Sequence, residues 1–338
     1  MAVSVIAAQL TATEECLGIE ESLGGLDGWQ VRDGGNWLMT REESRIVAYR
    51  VSPVPSQLFS ERWEWNSPEP GGYASPAGSG LIFSGRGEIT RLADDGTVRW
   101  VFRHDAWPEG GLGKGACTLT PSGEHVIATV CGAVGEDGSY EGDLCVALDS
   151  SSGELVARSV LPAFSALYEF QQSLSGSDHV FLSAGQGQDE FHSMLVTLRS
   201  GELSVLPAGA IDEPFTGNSL GGAFLKMARD GASLTRYQME GPGTCRSAAV
   251  AWTESTLSSP DLRLVGRPGF VDEATVLAPV AEDWWPEESR HLLLNSRTLR
   301  LEAMVEYPFA VSPDPIALGD GTWLTVSNDQ VYRWRAAK

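Results

Sequence analysis

A unit made of a Gly/Asp/Ser-rich turn followed by an apolar strand returns seven times along the 338 residues, at spacings of about 42 to 54. Helical periodicity is almost absent, and one short apolar segment near the start has no hairpin partner of its own. Together these predict an all-β fold: a single β-propeller over residues 1–338, with about seven four-stranded blades, closed by the N-terminal strand.

In chain order, AVSVIAAQL (2–10) is the spare strand, and 12–24 is the one stretch that suits a short helix. The unit then runs as VRDGGNWLMT from Val31, SPAGSGLIFS from Ser75, TPSGEHVIAT from Thr120 and LSGSDHVFLS from Leu174. It continues as ARDGASLTRY from Ala228, FVDEATVLAP from Phe270 and ALGDGTWLTV from Ala317. The leading strand residues are Trp37, Leu81, Val126, Val180, Leu234, Val276 and Trp323. A second strand follows each copy: RIVAYRV from Arg45, EITRL from Glu88, DLCVALD from Asp143, SMLVTL from Ser193, SAAVAW from Ser247, HLLLN from His291 and QVYRW from Gln330. DDGTVRWVF from Asp94, SSGELVARSV from Ser151 and SGELSVLP from Ser200 add outer strands whose apolar–polar alternation marks one buried face. The last copy stops after its third strand, at Arg335. An outer strand is therefore wanting there, and residues 2–10 would supply it and remove two exposed edges.

LDSSSGELVARS (148–159) and LADDGTVRW (92–100) are similar to the outer hairpins of WD-repeat-like and quinoprotein-like bacterial β-propellers, and the chain resembles that superfamily over nearly its whole length. The resemblance implies the fold and carries no activity with it. Recurring Gly-His and Trp-Asp dipeptides and adjacent cysteines, common in those two groups, are not part of this sequence.

Lys+Arg 24 against Asp+Glu 45 gives a net charge of −21, which disfavours nucleic acid and anionic membrane surfaces as partners. The start, MAVSVIAAQLTATEEC, lacks a basic n-region, and no apolar run approaches membrane-spanning length. Five scattered cysteines (16, 117, 131, 145, 245) form no CxxC pair, so free buried thiols in a reducing cytoplasm are expected, with no structural zinc and no disulfide framework.

Because successive strands of a blade are antiparallel, first–second and third–fourth turns share one face of the disk. Second–third and blade-to-blade loops share the other. The first face carries short turns such as DDGT and SSSGE. The second is expected to carry long irregular loops in blades three to six: 131–143, 184–192, 238–246 and 280–290, joined there by 103–115. Long loops are uncommon unless functional, so this sector is the expected binding site.

Three groups stand out in it. His104, Asp105 and Trp107 put an imidazole beside a carboxylate, which suits general-base chemistry or a surface ion pair. Asp189, Glu190 and His192 suit a divalent cation or proton sharing, but their spacing matches no EF-hand or HExxH motif, so no metal is expected. Glu282, Asp283, Trp284, Trp285, Glu287, Glu288 and Arg290 combine charge with paired indoles, fit to stack on a ligand or to pin the loop. Tyr140, Glu240 and Arg246 complete the candidate ligand-binding residues; His125 and His179 sit at equivalent hairpin positions and read as structural. GLGKG (111–115) is not a phosphate loop, GQGQ (185–188) is not a dinucleotide fingerprint, and GxSxG is missing, so no cofactor is expected. Two functions fit. One is a recognition module binding a protein, peptide or small molecule on the long-loop face. The other is a propeller lyase, cyclase or hydrolase of bacterial specialised metabolism, with His104 or His192 as acid–base.

Overall fold

The computed structural model describes residues 4–15, 29–32, 35–42, 45–66, 72–78, 80–107, 115–132, 140, 142–162, 167–173, 179–186, 190–207, 215–241, 244–253, 262–283, 288–327 and 330–337. Every regular element among them is a β-strand. After β1 (Val5–Glu15), the chain folds into five sheets of four strands each. The first comprises β2 (Trp29–Arg32), β3 (Gly35–Glu42), β4 (Arg45–Val51) and β5 (Phe59–Asn66). The second comprises β6 (Tyr73–Ala77), β7 (Gly80–Ser84), β8 (Glu88–Leu92) and β9 (Val98–Arg103). The third comprises β10 (Cys117–Leu119), β11 (His125–Val130), β12 (Leu144–Asp149) and β13 (Leu155–Val160). The fourth comprises β14 (Leu167–Ser173), β15 (His179–Gln186), β16 (Glu190–Arg199) and β17 (Glu202–Pro207). The fifth comprises β18 (Phe215–Leu220), β19 (Ala223–Met227), β20 (Ser233–Gly241) and β21 (Thr244–Thr253).

The remaining strands are β22 (Arg263–Leu264), β23 (Gly269–Phe270), β24 (Thr275–Ala281), β25 (Arg290–Asn295), β26 (Leu301–Glu306), β27 (Ile316–Ala317), β28 (Trp323–Ser327) and β29 (Gln330–Ala336). With β1 they make one nine-stranded sheet. β1 runs antiparallel to β29, Leu10 facing Trp334, and parallel to β26, Val5 facing Met304.

The sheets form a propeller-like ring. Their innermost strands touch in succession, β2 with β6, β6 with β10, β10 with β14, β14 with β18, β18 with β23 and β23 with β27. β14 also meets β2, so the axis is narrow there. Middle strands lie between neighbouring sheets and are buried on both faces, which is why β7 and β11 read as nearly continuous apolar runs. Outer strands such as β13 have one covered face and alternate. The core is therefore divided among the spaces between sheets. Trp37, Ile46, Leu81 and Phe83 fill the first. Leu38, Val47, Tyr49, Ile316, Leu324 and Val331 join the last strands to the first sheet. Indoles on outer strands latch one sheet to the next: Trp65 Nε1 donates to the Ala93 carbonyl at 3.1 Å, and Trp100 Nε1 to that of Ser150 at 3.0 Å.

Three expectations are corrected. Residues 12–15 continue β1, with Thr13 facing Tyr332, where the start of a helix was expected; residues 16–24 lie outside the described residues. The Asp-Gly turn of the fifth copy joins the second and third strands, so Leu234 opens a third strand and 247–252 belongs to the outer one. The preceding Gly221–Gly222 turn carries the first–second connection that the repeat assigned to 228–232. The segments 184–192 and 238–246 are hairpins and not irregular loops: Ala184 faces His192, Gln186 faces Glu190, and Met239 faces Cys245. Backbone pairing outweighs their Gly, Gln and Asp content. As the third–fourth connection of its sheet, 238–246 also belongs to the face opposite the one expected.

Candidate functional site

The loop between β11 and β12 is pinched at its base. A Cβ on Gly132 would fall 1.7 Å from the Gly142 carbonyl oxygen, so the two ends of the loop touch only because residue 132 is glycine. Just inside the pinch, the Asp143 carboxylate is fully buried. It accepts hydrogen bonds from the Tyr140 hydroxyl of its own loop and from the Tyr168 hydroxyl on β14 of the next sheet, the latter at 2.6 Å. The Gly132 N–H donates to the Tyr140 oxygen at 3.1 Å, and the Cys131 thiol lies 3.6 Å from it. Burial and then the neighbouring Asp143 carboxylate push both phenols well above their ordinary range, so each stays a donor. Burial likewise pushes the Cys131 thiol up, which keeps it an uncharged packing group. A buried carboxylate met by two phenols is a satisfied polar network that ties one long loop to two sheets.

Trp107, from the connection between β9 and β10, packs into the same cluster at 6.2 Å from the Tyr168 ring. Its backbone N–H donates to the Arg86 carbonyl at 2.9 Å, and the Arg86 Nε returns a bond to the Trp107 carbonyl at 2.7 Å. Trp107 Nε1 and Ser84 Oγ are buried without a hydrogen-bond partner among the described residues. Both border Gly115: a Cβ there would meet Ser84 Oγ at 2.5 Å, the Thr129 carbonyl at 2.8 Å and Trp107 Nε1 at 3.2 Å. Polar atoms thus converge at the root of the long-loop sector, where burial makes each of them consequential.

Of the expected residues, the structure brings together Trp107 and Tyr140. His104 is half-buried, and its Nδ1 lies 2.8 Å from the backbone oxygen of Asp105, whose side chain is exposed. His192 is half-buried on β16, with Glu190 two residues earlier on the same strand; Asp189 lies outside the described residues. Glu240 is the next-to-last residue of β20, and Arg246 lies on β21, facing Gln238. Glu282, Asp283, Glu288 and Arg290 are exposed at the two ends of the β24–β25 connection. Trp284, Trp285 and Glu287 lie outside the described residues. Among the described residues no group of three or more His, Cys, Asp or Glu is arranged to hold a metal ion.

Sequence reasoning missed Asp143, Tyr168 and His291. The last is buried, with Nδ1 2.7 Å from the Tyr307 hydroxyl. The available signal was polar residues at the mouths of otherwise apolar strands. His179, expected to be structural, is buried with Nδ1 2.6 Å from Thr197 Oγ1.

No protein-family model matches the chain, and no curated protein sequence matches it. Solved structures do. It is similar to BamB from Moraxella catarrhalis at 16% identity and a TM-score of 0.51, over 91% of this chain and 84% of that one. It is similar to BBS1N, in a crystal structure of its complex with ARL6DN, at 11% identity and a TM-score of 0.52, over 99% and 98%. At these identities the likeness is one of fold, a β-propeller. No helix among the described residues is long and apolar enough to cross a membrane.

Proposed function

We propose that the chain is a non-catalytic recognition propeller of seven four-stranded blades closed by β1. It binds a partner protein or peptide on the face bearing the loops 103–115, 131–143 and 280–290. Apolar clusters between neighbouring sheets, including the one joining Leu324 and Val331 to Leu38 and Val47, support seven blades. The antiparallel β1–β29 pairing supports the closure.

The observation that carries the binding reading is the Asp143 clamp. With its root fixed to two sheets by a buried network, the loop starts from an ordered base, which lowers the cost of binding there. Exposed Asp105, Glu282, Asp283 and Glu288 give this face the sign of the whole chain, −21, and so favour a cationic patch on the partner over nucleic acid. BBS1N, of the same fold, is itself in complex with another protein. Buried free thiols at Cys117, Cys131 and Cys145 fit a cytoplasmic location.

Native mass spectrometry of the protein mixed with a lysate of its source finds the partner, and substitution tests the site. Trp284→Ala with Trp285→Ala is expected to weaken capture at least about tenfold, while His104→Ala and His192→Ala leave it unchanged. Turnover of a small molecule that disappears in either histidine variant would overturn this reading in favour of an enzyme.

A further inference from the structure

Arg236 lies on β20, two residues after Leu234 and on the same face of the strand. Arg297 lies in the turn between β25 and β26, two residues before Leu299. Leu234 and Leu299 are buried in one apolar cluster between the fifth sheet and its neighbour, so the two arginines flank the same seam. We propose that Arg236 and Arg297 form a subsite for one anionic group, a carboxylate or a phosphate. The β25–β26 turn is a third–fourth connection, and the Gly221–Gly222 turn beside Arg236 is a first–second one. The subsite therefore lies on the face opposite the long loops and is independent of the function proposed above.

The state of Arg236 is the first argument. The side chain is half-buried. Its Nη2 donates to Gln238 Oε1 at 2.9 Å, and Gln238 Nε2 donates in turn to the Gly221 carbonyl at 3.1 Å, which fixes the guanidinium beside that turn. Nε is sealed from solvent and meets no hydrogen-bond acceptor among the described residues. Nη1 is the donor left for a ligand. Burial, and then the charge of Arg297, hold the group below the ordinary guanidinium pKa. Among the described residues, the one charge acting on this half-buried cation is thus another cation, in a chain with 45 acidic residues against 24 basic. Two like charges at such a seam repel, and an anion between them turns that repulsion into attraction.

Arg297 is exposed, and no hydrogen bond or salt bridge engages its guanidinium among the described residues. Its turn is held by Asn295, whose Oδ1 accepts the backbone N–H groups of Arg297 and Thr298 at 3.1 Å each and whose carbonyl accepts the Leu299 N–H at 2.8 Å. The acids of the adjoining turns are Asp272, Glu273 and Glu302. Asp272 Oδ1 accepts the Ala274 N–H at 2.8 Å, Glu302 Oε1 accepts from Asn295 Nδ2 at 3.0 Å, and Glu273 is exposed. The salt bridges among the described residues join other pairs and none of these.

The chemistry of the pair sets the ligand. A guanidinium presents its N–H donors in one plane, which suits the paired oxygens of a carboxylate or one edge of a phosphate. Arg236 is placed in advance by Gln238, so little side-chain freedom remains to be lost there when an anion arrives. Arg297 supplies the second fork from a turn whose backbone is already tied down.

Titration calorimetry of the full chain tests the subsite with two probes, inorganic phosphate and an end-blocked Gly-Glu-Gly peptide, in about 0.15 M sodium chloride to screen the rest of the surface. Binding of at least one is expected, weakened about tenfold or more in Arg297→Gln, whose exposed side chain is not needed for folding. Arg236→Gln is expected to act alike, with near-UV circular dichroism reporting the fold. Phosphate binding alone assigns the subsite to a free or protein-borne phosphate, and peptide binding alone assigns it to an acidic side chain. No binding by the wild type, or undiminished binding by Arg297→Gln, overturns the proposal. So does an equal loss in Arg99→Gln, which removes a charge elsewhere on the same face.

Discussion

His291 is a buried imidazole whose partners define its state. The Tyr307 hydroxyl, kept protonated by its burial, meets Nδ1 at 2.7 Å and accepts from Trp323 Nε1 at 2.8 Å. Nε2 lies 3.0 Å from Ser289 Oγ and 3.3 Å from the Pro313 carbonyl, so the neutral ring accepts at one nitrogen and donates at the other. Burial holds its pKa down at about 4, against 6.5 for a free imidazole. The folded state then binds fewer protons than the unfolded chain between those values. The stabilisation is whole above about pH 6.5 and is lost as pH falls towards 4, up to about 3 kcal/mol. Denaturant unfolding from pH 7.5 to 4 is expected to show this loss in the wild type and a shallower one in His291→Gln; equal slopes would refute it. At this scale the sequence said least. Trp107 and Tyr140 were legible as polar aromatics in long loops. Asp143 and Tyr168, 25 positions apart, meet only because two sheets stand side by side.

Among the elements, β29 does more than its pattern QVYRW suggests. Arg333 on it is fully buried. It ion-pairs with Asp320, bonds Thr322 Oγ1 at 2.9 Å, and caps the carbonyls of Ser52 at 2.7 Å, Gln57 at 3.1 Å and Val54 at 3.2 Å. The last strand thereby grips the β4–β5 connection of the first sheet. Arg333→Met is expected to cost roughly 3–5 kcal/mol in chemical unfolding, since the carbonyls and Asp320 lose their partner inside the fold. A cost below about 1 kcal/mol would mean that water replaces the guanidinium. Strand phase was legible wherever a β-branched or aromatic residue followed a single Gly/Asp turn, as at Trp37, Val126, Val180 and Trp323. It slipped by one strand at Leu234 because a second turn, Gly221–Gly222, precedes the Asp-Gly one there. The hairpins at 184–192 and 238–246 were illegible because pairing partners lie across the turn, where local composition is silent.

For the molecule as a whole, one strand holds the two halves of the largest sheet together. β1 is the only described element that joins β26 to β29, and the Thr11 hydroxyl and Gln9 side chain bond Arg333 and Arg335 across it. Deleting residues 1–15 would bare two strand edges at once. Such a variant is expected to lose the single cooperative calorimetric transition and to self-associate in size-exclusion chromatography; a monomer with an unchanged transition would contradict the role given to β1. The propeller-like ring itself was legible from period alone, because each sheet is one repeat and packs mainly against the next.

The pairing of β1 with β29 also governs how the protein is made. Residue 8 finds its partner at residue 336, and ribosomes add about 5–20 residues per second. β1 therefore waits roughly 20–60 s with that edge open while the residues between the two strands are made. Exposed carboxylates at Glu14 and Glu15 make that edge a poor template for neighbouring nascent chains. β1 and β29 thus meet only after every strand between them has been made.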